Sequence, residues 1–79
     1  MHYISLTHFC NLTGLTAVEV NDYEARGLIR STMKGNNRFY SYREAYRTKG
    51  IVYFMGTHGL TAEDAAVKVD EETTAANRK

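Results

Sequence analysis

The chain has 79 residues, of which 43% are hydrophobic and 24% charged, and its net charge is +1. This length and composition predict one small globular domain with a single core. One cysteine excludes an internal disulfide and a multi-cysteine zinc site, and we find neither a signal-peptide pattern nor an apolar run long enough to cross a bilayer. We therefore expect a cytoplasmic protein.

Capping residues predict where the first two helices begin. Ser5 can cap a short helix over residues 6–13, which Gly14 ends. The sequence Thr16-Ala17-Val18-Glu19 is a capping box, in which the threonine hydroxyl accepts from the amide three residues on and the glutamate reaches back. This box opens a second helix over residues 17–26. Two short helices joined by a tight turn that contains glycine form a helix-turn-helix.

A β-hairpin is predicted after the second helix. Residues 28–33 and 38–40 have the pattern of two strands, and the loop over residues 34–37 contains glycine and asparagines, which tolerate positive φ. A two-stranded hairpin is marginal alone, so we expect it to pack against the helices as a wing.

Two longer helices are predicted to follow the hairpin. A second capping box, Ser41-Tyr42-Arg43-Glu44, opens a helix over residues 42–57, in which Gly50 costs up to about 1 kcal/mol relative to alanine. A further helix starts at Thr61.

The predicted fold class is mainly α, with about four helices and a two-stranded β-hairpin wing. Because the apolar period stops after Asp70, we expect the domain to span residues 1–70 and residues 71–79 to form a polar, disordered tail. Arginine and lysine recur from Arg26 to Lys49, where Glu44 is the only acid, whereas residues 63–72 are mainly acidic. This pattern indicates either a surface that faces a polyanion or an ordinary solvated surface.

Four sequence segments resemble the N-terminal DNA-binding domain of the MerR family of regulators. They are Thr13-Gly14-Leu15-Thr16 at the turn, Tyr23-Glu24-Ala25-Arg26-Gly27-Leu28-Ile29 after the second helix, Asn37-Arg38-Phe39-Tyr40-Ser41 at the wing exit, and Gly59-Leu60-Thr61 before the last helix. The likeness spans roughly residues 4–69. It implies a winged helix-turn-helix whose partner is double-stranded DNA.

The resemblance implies two sets of DNA-contacting residues. The wing and the start of the third helix would contact phosphates through Arg30, Lys34, Arg38, Tyr40, Arg43 and Arg47, and the second helix would face bases through Ala17, Val18 and Asn21. Where the family usually carries two arginines, this chain has Val18 and Asn21, which suit a thymine methyl and an adenine.

The chain is most similar in length to short stand-alone MerR-like proteins without an effector domain. These include developmental regulators and excisionase-like factors of phages or mobile elements. The similarity implies a transcriptional regulator or a recombination factor that is a monomer or self-associates weakly on DNA.

A second resemblance gives the alternative function. The run from His8 to Leu15 and the sequence Val20-Asn21-Asp22 are similar to CbpM-like chaperone modulators, which bind a protein partner. The interface would then be the acidic second helix, through Glu19, Asp22 and Glu24. We predict no catalytic residues, cofactor or metal site, because no nucleophile is paired with a base and the histidines are scattered.

Overall fold

The computed structural model describes residues 2–76, with side chains described for residues 2–73. Four α-helices and one small antiparallel sheet form a mainly α winged helix-turn-helix, which confirms the predicted fold class. In chain order the elements are β1 (Tyr3–Ser5), α1 (Leu6–Thr13), α2 (Ala17–Ala25), β2 (Thr32–Lys34), β3 (Asn37–Ser41), α3 (Tyr42–His58) and α4 (Ala62–Ala76).

The helix-turn-helix forms through the predicted caps. The Ser5 hydroxyl accepts from the amide of His8 at 3.2 Å and begins α1, and Gly14 ends it in the left-handed conformation at φ 81°. Thr16 and Glu19 form both bonds of the capping box that begins α2. Each bond satisfies a backbone group that the first turn of a helix leaves without a partner. Both helix starts are therefore fixed by local sequence.

The sheet has three strands rather than the predicted two, in the order β1-β3-β2. Both outer strands are antiparallel to β3, with Ile4 opposite Tyr40 and Met33 opposite Arg38. At the β2–β3 turn, Gly35 takes the positive φ of 63° that a tight hairpin requires. The prediction missed β1, because a strand of three residues depends on its pairing with β3.

The strand predicted over residues 28–33 begins too early, since β2 begins only at Thr32. Residues 27 and 28 instead complete a Schellman motif at the end of α2. The amide of Gly27 donates to the carbonyl of Glu24 at 3.0 Å, and that of Leu28 donates to Tyr23 at 2.9 Å. The Leu28 amide is therefore bonded to the helix instead of to a sheet, while Ile29 is buried in the core.

The core lies where the sheet, the helix-turn-helix and α3 meet. The ring of Phe9 on α1 stacks on Tyr40 of β3 with centroids 4.1 Å apart, and both side chains are fully buried. A second apolar cluster holds α4 against α3 through Ile51, Ala65, Ala66 and Val69. This packing fixes α2 and the wing relative to each other.

The last helix extends past the predicted domain boundary at Asp70 and continues to Ala76. Thr61 caps it by accepting from the amide of Asp64 at 3.1 Å. Residues 77–79 of the predicted tail lie outside the described residues, and the division of the chain into domain and tail stays a prediction. No helix in the described part of the chain is both long and apolar enough to cross a membrane.

Candidate nucleic-acid interface

The outward face of α2 carries the three side chains predicted to face bases. Val20 and Tyr23 bury the opposite face of the helix in the core. Ala17, Val18 and Asn21 are all exposed, and Val18 is 77% exposed, the highest value among the exposed large hydrophobic residues. A methyl-bearing side chain and an amide therefore stand on a rigid, capped helix without contributing to the core.

The three carboxylates of α2 each have a partner within the chain. Glu19 accepts from the Thr16 amide at 2.9 Å as part of the capping box. Asp22 pairs with Arg26 at 3.0 Å. Glu24 accepts from Arg38 at 2.9 Å and from the hydroxyl of Tyr40. The residues of the alternative protein interface thus act in capping and in ion pairs of the fold.

Tyr40 does not lie on the surface, contrary to the prediction that it contacts phosphate. Its side chain is fully buried and its hydroxyl donates to Glu24. Arg38 lies two residues earlier on β3, so it points to the same side of the sheet and also pairs with Glu24. Burial, with the Glu24 carboxylate nearby, raises the pKa of Tyr40 far above its ordinary value. Both side chains connect the wing to α2.

Arg30, Lys34 and Arg43 are exposed, as a phosphate contact requires. Arg30 is held at its backbone, where its amide donates to Glu44 at 3.0 Å, so its side chain extends from a fixed point. Lys34 lies at the tip of the wing with its ammonium 5.1 Å from the centroid of the Tyr3 ring. No local sequence pattern indicates this contact, because it depends on the unpredicted strand β1.

Arg30, Arg43 and Arg47 line one polar groove, which we call the arginine groove. It has a volume of about 470 Å³ and lies between the loop after α2, the first turns of α3, and α4. Two acidic residues, Glu44 and Asp70, also line it. Sequence reasoning placed the three arginines together but missed Asp70, since nothing local brings residue 70 to residue 47.

Arg47 is the most constrained of the three arginines. Its guanidinium donates to the Leu28 carbonyl at 2.7 Å, to Glu44 at 3.2 Å, and to both carboxylate oxygens of Asp70 at 2.8 and 3.1 Å. The bonds to Arg47 lower the pKa of Asp70 below its ordinary value. Unlike Arg30 and Arg43, the predicted phosphate contact Arg47 is already bonded to carboxylates.

Within the described residues, no three histidine, cysteine or carboxylate side chains gather as the ligands of a metal ion would. Cys10 is partly buried on α1, and burial raises the pKa of its thiol, which disfavours the reactive thiolate.

Comparison with known proteins places this geometry in a family. No curated protein matches the chain. The family described as "MerR HTH family regulatory protein" matches residues 4–72, from the first strand into the last helix. The matched span includes the helix-turn-helix, the wing and the helices that support them, and it confirms the resemblance seen in the sequence. The chain belongs to the MerR HTH family of regulatory proteins.

Proposed function

We propose that this chain is a DNA-binding transcriptional regulator that faces the major groove with α2 and contacts phosphates with residues of the wing side. The observation that carries the proposal is the exposed face of Ala17, Val18 and Asn21 on a helix whose other face is packed. In helix-turn-helix proteins the N-terminal residues of the second helix contact base edges. These three residues all lie in the first half of α2.

Phosphate contacts in this proposal come from Arg30, Lys34 and Arg43. All three are exposed cations on or beside the wing. Arg38 and Tyr40 have a different role, since both are bonded to Glu24. They hold the wing at a fixed position relative to α2. The phosphate contacts of the wing therefore keep a fixed spacing from the base contacts of α2.

Base readout in this proposal rests on two side chains that carry no charge. Val18 can contact the methyl group of thymine, and Asn21 can bond both N6 and N7 of adenine. No arginine stands on this face to bind guanine. We therefore propose that the contacted positions are A·T pairs, and that DNA shape adds to the specificity.

The first test is duplex binding measured by fluorescence anisotropy over a range of salt concentrations. Arg30→Ala, Lys34→Ala and Arg43→Ala should each weaken binding to every sequence and reduce the slope of log K against log salt by about 0.9. Lys68→Ala is the matched control, because it removes an exposed cation from α4, away from the wing. Failure to bind any duplex at low salt, or an equal effect of Lys68→Ala, contradicts the proposal.

The second test addresses base readout by selection from a random duplex library. The wild-type protein should enrich A·T pairs, and Asn21→Ala should lose the preference at one adenine with a cost of about 1–3 kcal/mol in binding. The salt slope should stay unchanged, because Asn21 contacts no phosphate. Enrichment of G·C pairs by the wild-type protein contradicts this assignment.

An excisionase-like role in recombination would use the same interface, so the bound site distinguishes it from promoter regulation. A genomic footprint at a promoter supports the regulator, and one at a recombination site supports the excisionase-like factor. The protein-binding alternative is disfavoured, because Glu19, Asp22 and Glu24 are already bonded within the chain. Asp22→Lys should accordingly tighten duplex binding; if it instead abolishes a protein complex and leaves DNA binding unchanged, the alternative is correct.

A further inference from the structure

The arginine groove contains one carboxylate that the fold does not bury. Asp70 lies on α4 with its side chain 57% exposed, whereas its partner Arg47 is 25% exposed. The exposed carboxylate therefore lies towards solvent, and the guanidinium lies beneath it. Arg30 and Arg43 line the same groove.

The contact between Arg47 and Asp70 has the geometry that arginine also uses for phosphate. Nε and Nη2 of Arg47 donate in parallel to the two carboxylate oxygens, at 2.8 and 3.1 Å. A planar guanidinium binds carboxylate and phosphate through the same fork of donors. Two oxygens of a backbone phosphate can therefore take the place of Oδ1 and Oδ2.

Arg47 would keep its orientation if Asp70 moved away. Its Nη1 donates to the Leu28 carbonyl at 2.7 Å and to Glu44 at 3.2 Å, and neither bond involves Nε or Nη2. Glu44 also accepts from the amide of Arg30. The two donors that face the groove are thus held in place by contacts that a bound phosphate would leave intact.

We propose that this groove is a phosphate site for the DNA backbone and that Asp70 occupies the position of the phosphate in the free protein. The proposal rests on the proposed DNA-binding function and adds a site and a competitor to it. Binding of the phosphate displaces the Asp70 carboxylate from Arg47, so the chain carries its own inhibitor of one backbone contact. Asp70 therefore lowers DNA affinity.

The test compares Asp70→Asn with the wild-type protein in duplex binding over a range of salt concentrations. Removing the competing charge should raise affinity about three- to tenfold at low salt, as one unit charge at close range would. The slope of log K against log salt should stay close to that of the wild-type protein, because Arg47 neutralises the same phosphate in both complexes once Asp70 is displaced. Asparagine retains an oxygen that Arg47 can bond, and thermal unfolding by circular dichroism checks that the variant is folded.

Two further variants separate this site from a general effect of net charge. Glu71→Gln makes the same charge change at the next position of α4, outside the groove lining, and should leave the affinity for duplex close to the wild-type value. In an Arg47→Ala background, Asp70→Asn should bring no gain, since the cation that Asp70 blocks is absent.

The possible outcomes distinguish a failure of the phosphate-site proposal from a failure of the proposed DNA-binding function. Equal gains in affinity from Asp70→Asn and Glu71→Gln overturn the phosphate site while the DNA-binding function stands. A gain that persists without Arg47 overturns it as well. If neither the wild-type protein nor Asp70→Asn binds any duplex, the proposed function itself is wrong.

Discussion

Glu24 connects the second helix to the sheet through two different side chains. Arg38 donates to its Oε2 at 2.9 Å, and the hydroxyl of Tyr40 donates to its Oε1. Tyr40 is fully buried, so its hydroxyl has no water to replace the carboxylate. A buried donor left without an acceptor costs more than the bond itself contributes. Glu24 is therefore a structural residue of the wing.

We expect Glu24→Ala to lower the free energy of unfolding by about 2–3 kcal/mol, because it leaves the Tyr40 hydroxyl and the half-buried Arg38 without their acceptor. Urea unfolding measures the change. Asp22→Ala is the control on the same helix, because its pair with Arg26 is exposed and should contribute much less to stability than the buried contacts of Glu24. Equal losses of unfolding free energy from the two substitutions would show that the buried contacts of Glu24 contribute no more to stability than the exposed pair of Asp22.

The ionisation of Tyr40 gives a second prediction at the scale of one residue. Because its folded-state pKa is raised, the stability that Tyr40 contributes is present below the ordinary tyrosine value near 10 and is lost at higher pH, as the unfolded chain ionises. Urea midpoints should thus fall between about pH 9 and pH 12. The urea midpoint of Tyr40→Phe should decline less over this range. Tyr46→Phe removes an exposed hydroxyl, and its midpoint should follow that of the wild-type protein. Parallel curves for Tyr40→Phe and wild type would contradict the assignment.

These residue roles show which features of the site a sequence pattern does not predict. The base-facing positions Val18 and Asn21 came from the resemblance to the family, and both are exposed in the structure. The assignment of Arg38 and Tyr40 to phosphate came from a family pattern. The pattern does not show that Glu24, on another element, accepts from both side chains. A basic residue in a sequence indicates a charge, but its partner depends on the fold.

Gly50 explains how closely the third and fourth helices approach. A Cβ built on Gly50 would lie 3.0 Å from Cγ2 of Val69, a buried side chain of α4. The sequence marked this glycine only as unfavourable for a helix. In the structure it provides the space into which Val69 packs, so the intrinsic cost of glycine is offset by the contact between the helices.

The two glycines inside α3 provide a matched pair of variants. Gly56→Ala should stabilise the protein by up to about 1 kcal/mol, because alanine favours the helix and the new Cβ meets no atom within 4 Å. Gly50→Ala gains the same propensity but overpacks against Val69, at a cost of about 1–3 kcal/mol, and should destabilise the protein. Thermal unfolding distinguishes the two. Stabilisation by Gly50→Ala would mean that Val69 moves aside freely.

The helices were predicted more accurately than the strands because their signals are local. The caps placed the starts of α1, α2 and α3 at the observed residues and that of α4 within one residue. By contrast, β1 exists only because Ile4 pairs with Tyr40, 36 positions along the chain, and β2 starts late because the end of α2 bonds the Leu28 amide. Neither effect is visible in hydrophobic periodicity.

At the scale of the whole molecule, ion pairs fasten the acidic last helix to the basic middle of the chain. Glu63 in the first turn of α4 accepts from Arg26, just after α2, with 3.0 Å between Nε and Oε2. Two turns later Asp70 pairs with Arg47 of α3. The charge asymmetry seen in the sequence is therefore partly neutralised within the fold, and α4 is held at both contacts.

This arrangement predicts how stability responds to acid. The bonds from Arg47 lower the pKa of Asp70, and those from Arg26 lower the pKa of Glu63. A carboxyl group whose pKa is lower in the folded state stabilises the protein above its unfolded pKa, and this contribution is lost as pH falls through the folded value. Urea midpoints should therefore decline as the pH is lowered from about 5 to about 2.

Substitution of Asp70 tests whether its contact with Arg47 causes the decline of the urea midpoint in acid. Asp70→Asn cannot ionise at this position, so its midpoint should start lower at neutral pH and decline less in acid than that of the wild-type protein. Glu71→Gln, which changes the charge of a neighbouring exposed residue, should follow the wild-type curve. If Asp70→Asn and wild type decline in parallel, Asp70 does not hold α4 to α3. The groove would then be open to phosphate without displacing a carboxylate, and the gain in DNA affinity expected for Asp70→Asn would not occur.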